Sequence, residues 1–126
     1  MSETIEALLK AKKISGAALD KKAENIVIMN MKAVSNLTDY FVIASAASSR
    51  RVKAIAENIE EELKKSGVRN WHTEGKSEAL WVLLDYGDVV VHVFQEDTRK
   101  FYDLERLWSD APKSTFLSYA NHGNPI

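Results

Sequence analysis

The chain has 126 residues, a formal net charge of −1 and no cysteine, with 45% hydrophobic and 28% charged residues. These values suit one soluble globular domain that buries its core without staples, and they exclude disulfide frameworks and thiolate metal sites. Near-neutral charge argues against wholesale nucleic-acid binding, and no apolar run is long enough to span a membrane.

In chain order, Ile5, Leu8, Leu9 and Lys12 follow helical spacing, with Ser2 or Thr4 as candidate N-caps. Gly16 is expected to break this helix, with residues 17–23 forming a second short helix or a continuation. The opening segment has acids and no apolar signal core, so it resembles neither a secretory signal nor a transit peptide, and a cytoplasmic location is expected. The β-branched run at 25–31 predicts a strand, "KAVSNLTD" a loop, and "YFVIAS" at 40–45 a second, buried strand. Val52, Ile55, Ala56, Ile59 and Leu63 then form the clearest helical stripe. Ser48 or Ser49 can cap its start and Gly67 can end it.

Residues 68–75 predict a short edge strand and a turn. Residues 79–85 and 88–94 give two strong strand signals. The stretch Asp85, Tyr86, Gly87 fits a three-residue hairpin loop, which would set Leu84 opposite Asp88, Val82 opposite Val90 and Leu80 opposite His92. Both faces of such a hairpin are apolar and need cover from helices or from a partner. Residues 96–108 predict one helix, with Phe101, Leu104 and Trp108 on a stripe packed against the sheet, until Pro112 stops it. The order is that of an α/β sandwich with a mixed sheet of about five strands flanked by helices. A single domain is expected over residues 1–112, followed by a mobile tail at 113–126.

Catalytic readings of the hairpin fail on spacing. Asp88 and His92 lie four residues apart on one strand, about 13 Å, whereas an acid/base pair needs roughly 3 Å. Asp85 and Asp88 flank a turn, and no acid stands within 89–93, so converging carboxylates for metal-assisted chemistry are missing. His72, His92 and His122 have no metal-ligand spacing, and His92 is expected to be a packed or interface histidine. The junction "ASAASSRRV" joins strand to helix and carries Arg50 and Arg51. It is the best candidate for a nucleotide or phosphate site, but it lacks glycine and is no Walker motif. Neither a cofactor nor an enzymatic activity is expected.

Charge is unevenly placed. Residues 1–73 carry 12 Lys/Arg and 9 Asp/Glu, and residues 74–126 carry 5 and 9. The acidic half also holds Trp81, Tyr86, Phe94, Phe101, Tyr102 and Trp108. Acid mixed with large aromatics suits docking onto a basic partner. Tyr102, Glu105 and Asp110 would present such a face beside the hairpin, with Asp85, Tyr86 and Asp88 at its tip.

The segments "DKKAENIVIMN", "TDYFVIASAASSRRVKAIAENI", "ALWVLLDYGDVVVHVF" and "RKFYDLERLWSDAP" resemble the ribosomal silencing factor family, also called iojap-like, over about residues 4–112. The last two motifs are the specific ones. The resemblance implies a nucleotidyltransferase-like fold without the catalytic acids. It implies a non-enzymatic translational repressor that binds the large ribosomal subunit at a basic protein of its intersubunit face and blocks joining of the small subunit when nutrients are scarce. It also implies homodimers of the free protein. Residue by residue, the family's marked surface falls on Trp81, Asp85, Tyr86, Asp88, Arg99, Tyr102, Leu104, Glu105, Trp108 and Asp110. One departure is Ala46 and Ala47 after "VIAS", where the family often has glycine.

Overall fold

A computed structural model describes residues 3–116. The elements run α1 (Glu3–Asp20), β1 (Glu24–Asn30), β2 (Tyr40–Ala46), α2 (Ser49–Lys65), β3 (His72–Glu74), β4 (Trp81–Asp85), β5 (Val89–Gln95), α3 (Glu96–Tyr102), α4 (Leu104–Leu107) and β6 (Lys113–Thr115). The strands form one six-stranded sheet in the order β3-β4-β5-β2-β1-β6. The β2/β5 pair at its centre is parallel and its other pairings are antiparallel. The expected mixed α/β class is therefore the fold, with six strands in place of about five.

Alternation along each strand sends side chains to two faces. Ile26 and Ile28 of β1, Val42 and Ala44 of β2, Val82 and Leu84 of β4, and Val89, Val91 and Val93 of β5 meet α1 and α2 in the larger core. The stripe of α2 (Val52, Ile55, Ala56, Ile59, Leu63) is fully buried there. Its start is capped by Ser48, whose side chain accepts from the Arg51 N–H at 3.3 Å. Its end is a Schellman motif: the Gly67 N–H bonds Lys64 O and the Val68 N–H bonds Leu63 O, with Gly67 at φ +79°.

Helix α1 presents Ala7, Ala11 and Ala18, small residues that allow close packing, together with the fully buried Ile14. Asn58 of α2 donates to Ala17 O at 2.8 Å and ties the two helices together. Gly16 does not break α1, which continues to Asp20. A helical glycine costs about 1 kcal/mol relative to alanine, less than the burial gained by Ile14, Ala17 and Ala18 around it.

Two further expectations change. The boundary at Pro112 moves, because Lys113–Thr115 pair antiparallel with β1 as strand β6. The rest of the expected mobile tail, from residue 117, lies outside the described residues. The single helix over 96–108 is two. Asp103 takes a left-handed φ of 46° between α3 and α4 and turns the chain sharply. Asparagine and aspartate enter that region more readily than most residues, so the break has a local cause.

Candidate functional site

The second sheet face has only partial cover. Met29, Met31, Ile43 and Phe94 are roofed by Leu104 of α4 and by Ala111, while Val27, Val34, Phe41, Trp81 and Trp108 pack at the margin and stay partly open. The break at Asp103 decides this arrangement. It drives Leu104 into the small core but leaves Phe101 81% exposed, so Phe101 does not pack against the sheet as helical spacing predicted.

Arg99 holds the elbow. Its Nε and Nη2 both donate to the Glu105 carboxylate at 3.2 Å. Its Nη1 donates to Asn25 O at 2.8 Å and to Ser45 Oγ at 3.0 Å. Asn25 itself sits at φ 51°, beside the irregularity between Glu24 and Val27 in the β1/β2 ladder. One guanidinium thus joins α3, the segment carrying α4, and two strands. A planar fork with five donors suits that task better than an ammonium.

The aromatic cluster lies on the open face. Trp81 sits 4.9 Å from Phe94 and 4.7 Å from Tyr102, centroid to centroid. Its indole N–H donates to His92 Nδ1 at 3.1 Å. Phe41 meets His92 at 4.6 Å and Trp108 edge-on at 6.3 Å. Tyr102 and Leu107 are exposed, and Leu83 and Val90 of the same sheet face are half-buried. A groove lined by Leu80, Trp81, Phe101 and Tyr102, together with Glu78 and Asp97, opens beside the cluster. Phe41, Leu83, Val90 and Leu107 were not singled out from the sequence. Their apolar character was visible, but nothing local says which sheet face lacks a roof.

His92 is 4% exposed, and burial pushes its pKa down to about 4. It is a packed histidine, as expected. At the other end of the hairpin, burial and then the nearby Glu60 carboxylate push the Tyr86 hydroxyl well above its usual range. Glu96 is raised by a hydrogen bond and charge repulsion from Glu24.

The expected hairpin register is corrected. Trp81 pairs with Phe94, Val82 with Val93, Leu83 with His92, Leu84 with Val91 and Asp85 with Val90. The Tyr86 N–H bonds Val89 O at 2.9 Å, leaving a two-residue loop of Gly87 and Asp88. Gly87 has φ +85° and Asp88 is not left-handed, the pattern of a type II′ turn. The pairing therefore shifts by an odd number of residues, which exchanges the faces of β5 relative to β4. Tyr86 is the physical reason. The shorter loop lets it extend β4 and bury its ring with Val82 and Leu84, at 3% exposure.

The sequence-derived site residues consequently fall into two groups. Trp81, Arg99, Tyr102, Leu104, Glu105 and Trp108 gather around the elbow and the open face, with Asp110 exposed in the turn that follows α4. Asp85, Tyr86 and Asp88 lie at the opposite end of the hairpin and do not form an acidic–aromatic tip. Tyr86 faces the helices, Asp85 accepts from the Gly87 N–H at 2.8 Å, and Asp88 is ion-paired with Lys10 at 2.7 Å.

The 45–51 junction has its helix start capped by Ser48, and Gln95 donates to Ala47 O at 3.3 Å. Neither β2 nor β5 carries a carboxylate. No group of three or more metal-ligating side chains occurs among the described residues, and no described helix is long and apolar enough to cross a membrane.

The fold and this face together define a class: an α/β protein on an open mixed sheet, helix-covered on one side and aromatic and half-open on the other. The chain belongs to the ribosomal silencing factor family. The family model described as "Ribosomal silencing factor during starvation" matches residues 3–124. The chain is 48% identical over 101 residues to the protein named ribosomal silencing factor RsfS of Bacillus subtilis (strain 168), covering 79% of this chain and 86% of that one. It is 47% identical over 93 residues to the protein of the same name from Halalkalibacterium halodurans, covering 74% and 80%. Its fold is similar to a crystal structure of a Chromobacterium violaceum protein, with a TM-score of 0.78 and 35% identity over 86% of this chain and 88% of that one.

Proposed function

We propose that this chain is a non-enzymatic translational repressor of the cytoplasm. It binds the large ribosomal subunit at a basic protein of the intersubunit face and sterically blocks joining of the small subunit. The observation that carries this reading is the Trp81–Tyr102 pair on the half-open sheet face, in a chain of the silencing-factor family. Exposed aromatics beside Glu78 and Asp97 supply the anchors and charge that favour a basic partner. Trp81, Tyr102, Trp108 and Asp110 are the contacts proposed for that partner, and Arg99 and Glu105 hold the elbow that carries them. With its exposed Leu107, the same face would serve self-association of the free protein.

The test is sedimentation with separated ribosomal subunits. The protein should travel with large subunits, not with small ones, and should reduce formation of joined ribosomes. Tyr102→Ala should lose both effects while remaining folded, because Tyr102 is exposed and packs on Trp81 from outside. Failure of the native protein to co-sediment at low salt would sink the reading. The competing reading, nucleotide binding at the 45–51 junction, would require heat of binding with a nucleoside triphosphate and Mg²⁺ in calorimetry.

A further inference from the structure

His92 sits beneath the open face, opposite Leu83 on β4 and diagonal to Trp81, which itself pairs with Phe94. Its ring packs against Phe41, Phe94 and Trp81 and is almost wholly buried. Accepting the indole proton at Nδ1 puts the imidazole's own proton on Nε2. That second nitrogen is buried without a hydrogen-bond partner among the described residues. An unpaired buried donor is destabilising. A phenylalanine would fill the same flat slot between aromatic rings without that penalty. Packing therefore does not account for a histidine here, whereas the single hydrogen bond it makes does.

We infer that His92 is a positioning residue for the docking surface: its Nδ1 locks the Trp81 indole in one orientation, so that a partner meets a preformed Trp81–Tyr102 platform. The inference rests on the proposed docking reading. The other neighbours of the indole are apolar or aromatic, with Phe94 of the small core at 4.9 Å and the exposed Tyr102 at 4.7 Å, centroid to centroid, and none of these contacts fixes its orientation as a hydrogen bond does. Ordering a side chain only on binding weakens affinity, and for one such side chain the loss is about two- to tenfold.

Two variants separate orientation from stability. His92→Phe keeps a ring of similar shape and removes the acceptor. His92→Asn places its Oδ1 near the Nδ1 position and restores the acceptor, but leaves a cavity. In His92→Phe the Trp81 indole N–H resonance, assigned by its loss in Trp81→Phe, should move upfield and broaden. Affinity for isolated large subunits should fall about two- to tenfold, and the melting temperature should hold or rise. In His92→Asn the indole resonance and the affinity should stay near native although the melting temperature falls. Affinity that follows the melting temperature across the two variants, or an unmoved indole resonance in His92→Phe, overturns the inference. Tyr102→Ala in the same series keeps the two ideas apart. If it weakens binding and His92→Phe does not, positioning fails and docking stands. If the native protein does not bind large subunits, docking fails, and the indole resonance still decides whether His92 orients Trp81.

Discussion

Acid should destabilise this protein through His92 in a way that one substitution removes. The folded chain holds the imidazole at about 4, against an ordinary 6.5, because burial among Trp81, Phe41 and Phe94 disfavours the cation. The unfolded chain therefore binds more protons across that interval. Stability contributed by the neutral ring is complete above roughly pH 6.5 and is lost as pH falls through about 4. At about 1.4 kcal/mol per unit of pH, the interval corresponds to about 3 kcal/mol. Protonation of the folded ring would also remove the lone pair that accepts the Trp81 indole N–H, so release of the indole should come only near pH 4, at the acid end of the stability loss. The assay is urea unfolding followed by circular dichroism at steps from pH 7 to pH 4, for the native protein and for His92→Phe. Carboxylate contributions are common to both and cancel in the difference. The native protein should lose about 3 kcal/mol more than the variant over this range. Parallel curves, differing by less than about 1 kcal/mol, would refute a buried neutral histidine as the source.

Three other perturbations probe the rest of the frame. Gly87→Ala should cost about 1–2 kcal/mol in urea unfolding, mainly for placing a Cβ at φ +85°. The added methyl would also lie 2.7 Å from the exposed Trp71 ring, which can swing away, so a change in Trp71 fluorescence should accompany the loss. Arg99→Ala should cost about 2–3 kcal/mol, because Glu105, Ser45 Oγ and Asn25 O lose a shared donor at a largely buried site. Arg99→Lys should recover less than half of that, and a variant as stable as the native protein would show that the clamp is dispensable. Tyr86→Phe should hold or raise stability by up to about 1 kcal/mol, since the Tyr86 hydroxyl is buried with no partner among the described residues; a clear loss in thermal unfolding would reveal a bond to that hydroxyl.

Local chemistry was enough to read much of this molecule from its residues. The β-branched runs became β1, β2, β4 and β5, and the stripe of α2 became its buried face. Ser48 and Gly67 bound that helix because a hydroxyl acceptor and a left-handed glycine act within one turn of it. The absence of carboxylates from β2 and β5, and the motifs shared with the silencing factors, were equally plain in the chain itself. Long-range choices were not. Strands β4 and β5 are apolar on both faces, so periodicity alone could not select their register; burial of Tyr86 and the type II′ turn at Gly87 selected it. Asp88 took its partner from Lys10, distant in the chain, instead of facing outward. Asp103 split a pattern that reads as one helix, because Arg99 could then draw Glu105 back while Leu104 entered the small core. Polar spacing marked residues 113–115 as tail, yet the free edge of β1 offered hydrogen bonds that made them a strand. The residues themselves determined which segments would be helix or strand and what chemistry they lacked. Which sheet face would stay open, with Trp81 and Tyr102 upon it, depended on how those segments covered one another, and only packing in three dimensions decides that.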